Sequence, residues 1–116
     1  MTTKQPNLQH IEACIAACLA CVQACEHCAS ACLAEEDIDM LRECIRNDHD
    51  CADICALTAR LLMRGSHLYG EACRLCAEAC AACATECEKH AAHHDHCRLC
   101  AEACRACEKA CRELAA

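Results

Sequence analysis

Apolar side chains return at alternating steps of three and four along almost the whole chain, and most of them are cysteine. The positions are 14, 18, 21, 25, 28 and 32, then 44, 51 and 55, then 73, 76, 80, 83 and 87, and finally 97, 100, 104, 107 and 111. Steps averaging close to 3.6 gather side chains on one stripe of an α-helix, at the a and d positions of a heptad. Four helices are predicted. The first covers about residues 7–34. The second starts near Asp37, a residue type that caps helices, and reaches Met63. Arg64, Gly65 and Ser66 form the clearest break, with Ser66 placed to cap the third helix. Ala91 to Asp95 makes a tight connection into the fourth. The last two helices begin their cysteine runs with the same eight letters, CRLCAEAC, at 73–80 and 97–104.

The faces between the stripes are charged, with Glu12, Glu26, Arg42, Glu43, Arg74, Glu78, Arg98, Glu102, Arg105 and Glu108. The cysteine stripes therefore face inward. Short connections make successive helices antiparallel neighbours, so the predicted fold is all-α: an antiparallel up-down-up-down four-helix bundle with a cysteine-lined core and an axial channel of thiols. Ile15, Leu19 and Val22, and likewise Ile54, Leu57 and Leu61, form further apolar stripes that suit packing against adjacent helices or against another subunit.

Composition sharpens this. The chain has 116 residues, fitting one domain over 1–116, with 19 cysteines, two glycines, one proline and a single aromatic residue, Tyr69. With so few bulky aliphatics, cysteine and alanine must supply most of the buried surface, which reduced cysteine does as a small hydrophobe. The net charge of −7 argues against nucleic acid or an anionic membrane as partner. No run approaches the roughly 20 uninterrupted apolar residues of a membrane span.

Cysteine at this density would suit a secreted disulfide scaffold. Against it, MTTKQPNLQH shows no secretory h-region, and 19 is odd. Cysteines three or four apart on one helix also meet disulfide geometry poorly. Reduced thiols and a cytoplasmic location are expected. Filler is a poor explanation, since leucine or valine would pack better without oxidising. Thiols converging on one axis point to metal.

Soft thiolates select Cu(I), zinc or iron–sulfur clusters. Zinc prefers closed four-ligand sites built on knuckles and loops. Iron–sulfur runs share the local C-x2-C-x3-C spacing but need loops that wrap a cluster. Cu(I) accepts two or three sulfurs and bridging thiolates, so C-x3-C pairs can hold ions along each helix. Such loading approaches one Cu(I) per cysteine, on the order of twenty ions. Each ion displaces a thiol proton, leaving a nearly neutral core. A zinc-thiolate buffer and a ferredoxin-like iron–sulfur electron carrier are the alternatives. No nucleophile, base and orienting group come together, so no catalysis is expected.

The candidate ligands are Cys14, Cys18, Cys21, Cys25, Cys28, Cys32, Cys44, Cys51, Cys55, Cys73, Cys76, Cys80, Cys83, Cys87, Cys97, Cys100, Cys104, Cys107 and Cys111. Asp48 joins them, because it lies inward between Cys44 and Cys51. At one end the seam continues as Ile11, Leu62, Tyr69 and Leu114, an apolar plug. At the other it continues as His90 and His93, expected as ligands where Cu(I) enters, with His94, His96 and Met40 close by. His10, His27, His49 and His67 fall off the seam and are read as surface residues.

CIAACLACVQACEHCASAC, the paired CRLCAEAC motifs and four cysteine-lined helices resemble the bacterial copper storage proteins, and the resemblance covers essentially the whole chain. The missing export signal matches the cytosolic branch of that family. The resemblance implies a homotetramer of four-helix bundles, each storing many Cu(I) ions through thiolates. A copper chaperone or a copper-requiring enzyme is the partner class in keeping with it. One departure stands out. The second helix has only three cysteines, with Leu41, Asp48, Thr58 and Leu62 at its other seam positions, so sulfur ligation should be poorest along that wall.

Overall fold

Asn7 starts the first helix by accepting the backbone N–H of Gln9 on its side-chain oxygen at 2.7 Å. The computed structural model describes residues 7–116. Residues 1–6, part of the segment read as lacking a leader, lie outside them. The helices are α1 (Leu8–Leu33), α2 (Arg42–Met63), α3 (Tyr69–Glu88) and α4 (Asp95–Leu114). A 3-10 turn over Ile38–Leu41 leads into α2. The bounds follow the sequence pattern, but the two expected caps do not form. Asp37 makes no cap, because its carboxylate faces His94 Nε2 at 3.0 Å. Ser66 lies three residues before Tyr69, and its hydroxyl accepts the N–H of Leu68 at 3.1 Å in a local turn.

The stop after α2 has a clear cause. Gly65 adopts φ +66°, a left-handed conformation open to glycine without cost. It lets Ser66 N–H reach Leu61 O at 2.9 Å and Gly65 N–H reach Leu62 O at 3.2 Å, which satisfies the final carbonyls and reverses the chain.

α1 packs against α2 and α4, and α3 against the same two, so the diagonal pairs stand apart across the core. The bundle measures 57 × 20 × 18 Å. Every cysteine stripe points to the axis, and all 19 cysteines are buried. Ala29, Ala52, Ala59, Ala77, Ala84 and Ala101 fill the helix interfaces. Their small side chains bring the helices close enough for sulfurs from opposite walls to meet. Of the outer apolar stripes, Ile15, Val22 and Ile54 pack partly against the core, whereas Leu19 and Leu57 stand 48% and 47% exposed.

One end is closed as expected. Leu62 and Leu114 are buried there, with Ile11 and Tyr69 packed against the core. Ala116 N–H donates to Gly70 O at 3.1 Å. A Cβ on Gly70 would come 2.9 Å from Ala116 Cβ, so glycine is needed for this close approach.

By length and composition α1 is apolar enough to cross a membrane, although Glu12, Gln23 and Glu26 interrupt its apolar run. Cysteine and alanine supply much of that apolarity, and its cysteine stripe is consumed by the bundle axis.

Candidate metal centre

Helical spacing and antiparallel packing bring the sulfurs into one network. All 19 cysteines are free, and Cys44 and Cys87, for example, stand 3.4 Å apart against about 2.05 Å for a disulfide. Along single helices, Cys21–Cys25, Cys51–Cys55 and Cys107–Cys111 stand at 3.9, 3.8 and 4.0 Å. Across helices, Cys14–Cys111, Cys21–Cys104 and Cys55–Cys76 stand at 3.6 Å. Neighbouring sulfurs are thus in van der Waals contact. Sulfur fills the axis, so the axial channel expected from the sequence is closed by the thiols themselves.

With a metal–sulfur bond of about 2.3 Å, two sulfurs on one ion lie about 3.8 Å apart in tetrahedral, 4.0 Å in trigonal and 4.6 Å in linear geometry. Packed metal-free thiols stand at these same separations, so small side-chain rotations would adapt the core to any of the three geometries.

Quartets of ligand atoms within 4.8 Å of one another form along the axis. Cys21, Cys25, Cys51 and Cys104 make one; Cys21, Cys51, Cys55 and Cys80 another; Cys25, Cys83, Cys100 and Cys104 a third. Adjacent quartets share sulfurs, so ions placed in them would be bridged by common thiolates. The α2 wall carries the fewest cysteines, three against five or six on the other helices. Cys51 and Cys55 contact Cys21, Cys76, Cys80 and Cys107 at 3.6–3.9 Å. Thr58, buried in the same wall, donates to Ile54 O at 2.8 Å.

Asp48 is fully buried at the axis. The thiols of Cys83, Cys100 and Cys87 donate to its Oδ1 at 3.2, 3.3 and 3.7 Å, and Cys44 lies 4.0 Å from Oδ2. Burial first, and then the neighbouring Cys100, push its carboxyl up to about 8 from 3.8. It is mostly protonated at neutral pH, which removes the cost of a buried charge. Burial and the nearby Cys97 and Cys44 likewise raise the thiol of Cys32.

The histidines divide differently from the sequence reading. His96, on the first turn of α4, directs Nδ1 to Cys28, Cys97 and Cys32 at 3.6, 3.6 and 3.8 Å, completing a quartet of three sulfurs and one imidazole. His90 instead meets Glu86, with Nε2 3.0 Å from Oε2, and His93 is exposed. Both were expected from continuing the α3 stripe, but α3 ends at Glu88 and the chain turns, with His93 and His94 N–H donating to His90 O. The helical period stops there, and with it the projection of the seam. Met40 is 70% exposed. His94 lies between Glu35 and Asp37, and the hydrogen bond with Asp37 raises its pKa above the ordinary imidazole value. His10, His27, His49 and His67 are exposed, as expected. The signal for His96 was available: it precedes Cys100 by four residues and so shares its helical face.

A family model described as copper storage protein matches residues 7–116. A curated relative, the uncharacterized cysteine-rich protein YhjQ of Bacillus subtilis, is 50% identical over 88 residues, 76% of this chain and 80% of the relative. Among solved structures, a cytosolic copper storage protein from Streptomyces lividans with five coppers superposes with TM-score 0.89 and 49% identity, covering 91% of this chain and 92% of that one. The Cu(I)-bound copper storage protein BsCsp3 superposes with TM-score 0.87 and 50% identity, covering 93% of this chain and 100% of that one.

Proposed function

Because the chain belongs to the copper storage protein family, we propose that it sequesters many Cu(I) ions in the sulfur core and releases them on demand. The observation that carries this is the sharing of cysteines between successive quartets. Isolated sites would each need their own ligands. Shared thiolates let the number of ions approach the number of sulfurs, about one Cu(I) per cysteine. Each ion that binds a thiol releases one proton, so the loaded core gains little charge and stays buried.

The end bearing His96 is the proposed place of uptake. There an imidazole, a weaker holder of Cu(I) than thiolate, stands against three sulfurs, while the opposite end is plugged by Leu62 and Leu114. The 19 cysteines and the oxygen of Asp48 are the proposed ligands, with His96 ahead of His90 and His93. A cytosolic location accords with the 19 free thiols and with the Streptomyces protein described as cytosolic. Exposed Leu19 and Leu57 on α1 and α2 support assembly through that face into a homotetramer. A copper chaperone would deliver the metal and a copper-requiring enzyme would draw on it. Storage needs no catalytic group.

The test is anaerobic titration of the reduced, metal-free protein with Cu(I) against a chromogenic chelator. Tight uptake well above about ten equivalents is expected, and saturation at about one to four would overturn storage. A parallel titration with zinc separates the two thiolate chemistries.

A further inference from the structure

His96 has two ring nitrogens, and only one faces sulfur. Nδ1 lies against Cys28, Cys32 and Cys97. Nε2 lies 3.2 Å from Glu35 Oε2. Glu35 is not on α4; it follows α1 in the turn that leads to α2. The same carboxylate oxygen also pairs with His94 Nδ1, and His94 Nε2 lies 3.0 Å from Asp37 Oδ2. Asp37, His94, Glu35 and His96 therefore form one chain of polar contacts. It runs from the α1–α2 turn across the end of the bundle to the sulfurs.

We propose that Glu35 is a positioning residue, holding His96 in the tautomer whose unprotonated Nδ1 is presented to Cys28, Cys32 and Cys97. A neutral imidazole carries one proton. The acceptor at Glu35 claims it for Nε2, which leaves the Nδ1 lone pair free to take Cu(I). Without that acceptor the proton can sit on Nδ1 and block the ligand position, and the ring can rotate out of line. Carboxylates behind ligating histidines act in this way at many metal sites. His94 holds Glu35 in turn, with Nδ1 against Glu35 Oε2 and Nε2 3.0 Å from Asp37 Oδ2. The proposal rests on Cu(I) uptake at this end of the bundle.

The experiment has an arm that needs no copper. Nitrogen-15 NMR of the reduced, metal-free protein at about pH 8, above the imidazole titration range, reads which nitrogen of His96 bears the proton. Nε2–H is expected in the wild type and in Glu35→Gln, whose amide oxygen still accepts, and a mixture in Glu35→Ala. The affinity for the first Cu(I) equivalent is expected to fall about tenfold in Glu35→Ala and to be largely restored in Glu35→Gln, with total capacity unchanged. In a His96→Ala background, Glu35→Ala should have no further effect. A wild-type His96 protonated on Nδ1 would overturn the proposal, whatever becomes of the variants. So would a Glu35→Ala loss that persists in the His96→Ala background. Low total capacity in the wild type would instead remove the storage reading and leave the tautomer result standing.

Discussion

The thiol of Cys83 donates to Oδ1 of Asp48 across 3.2 Å, joining α3 to a carboxyl that α2 buries completely. Its pKa of about 8, against 3.8 ordinarily, means that the folded chain keeps a proton the unfolded chain releases. Stability from this group is complete below about pH 4 and is lost as pH rises towards 8, at up to about 1.4 kcal/mol per pH unit. Unfolding of the reduced, metal-free protein by urea should therefore show decreasing stability over that window. Asp48→Asn should flatten the decrease, and identical pH profiles for the two proteins would contradict the raised pKa.

The burial of all 19 thiols bears on their reactivity. In the metal-free native protein, an aromatic disulfide reagent should meet cysteines only when the bundle opens. Modification should be at least about a hundredfold slower than in guanidinium, where all 19 should react promptly. Several fast thiols under native conditions would show a looser core than this packing.

The cysteine pattern made the bundle legible because a step of three or four admits one inward stripe per helix, and charge on the other faces fixes its direction. Asp48 was legible for the same reason. What the pattern could not carry was chemistry beyond the helix ends. His90 and His93 continue the α3 stripe on paper, yet Glu88 ends the helix and the next residues turn. The partner of His96, Glu35, is 61 residues away and belongs to no periodic segment. Asp37 likewise looked like a cap because its claim on His94 is tertiary.

Gly65 isolates a backbone contribution from the metal chemistry. Its φ of +66° disfavours any side chain, although among the described residues nothing lies within 4 Å of where a Cβ would stand. Gly65→Ala should cost about 1 kcal/mol through the left-handed backbone alone. A lower urea midpoint with unchanged Cu(I) capacity is the expected pair of results. An unchanged midpoint would mean that the turn has another conformation.

Shared ligation is best tested by comparing two cysteines of similar burial and different connection. Cys55 contacts Cys51, Cys76, Cys80 and Cys107 at 3.6–3.9 Å, bringing α2, α3 and α4 together. Cys14, near the plugged end, approaches Cys111 at 3.6 Å. Either cysteine replaced by alanine removes one buried sulfur, so each variant should lose on the order of 1 kcal/mol of metal-free stability. Their copper losses should differ. A thiolate that bridges several ions leaves each of them short of a ligand, whereas a peripheral one leaves only its own ion. Chelator competition should find Cys55→Ala short by several equivalents and Cys14→Ala by about one. Equal losses would mean that ions bind independently, and shared thiolates would then not explain the capacity.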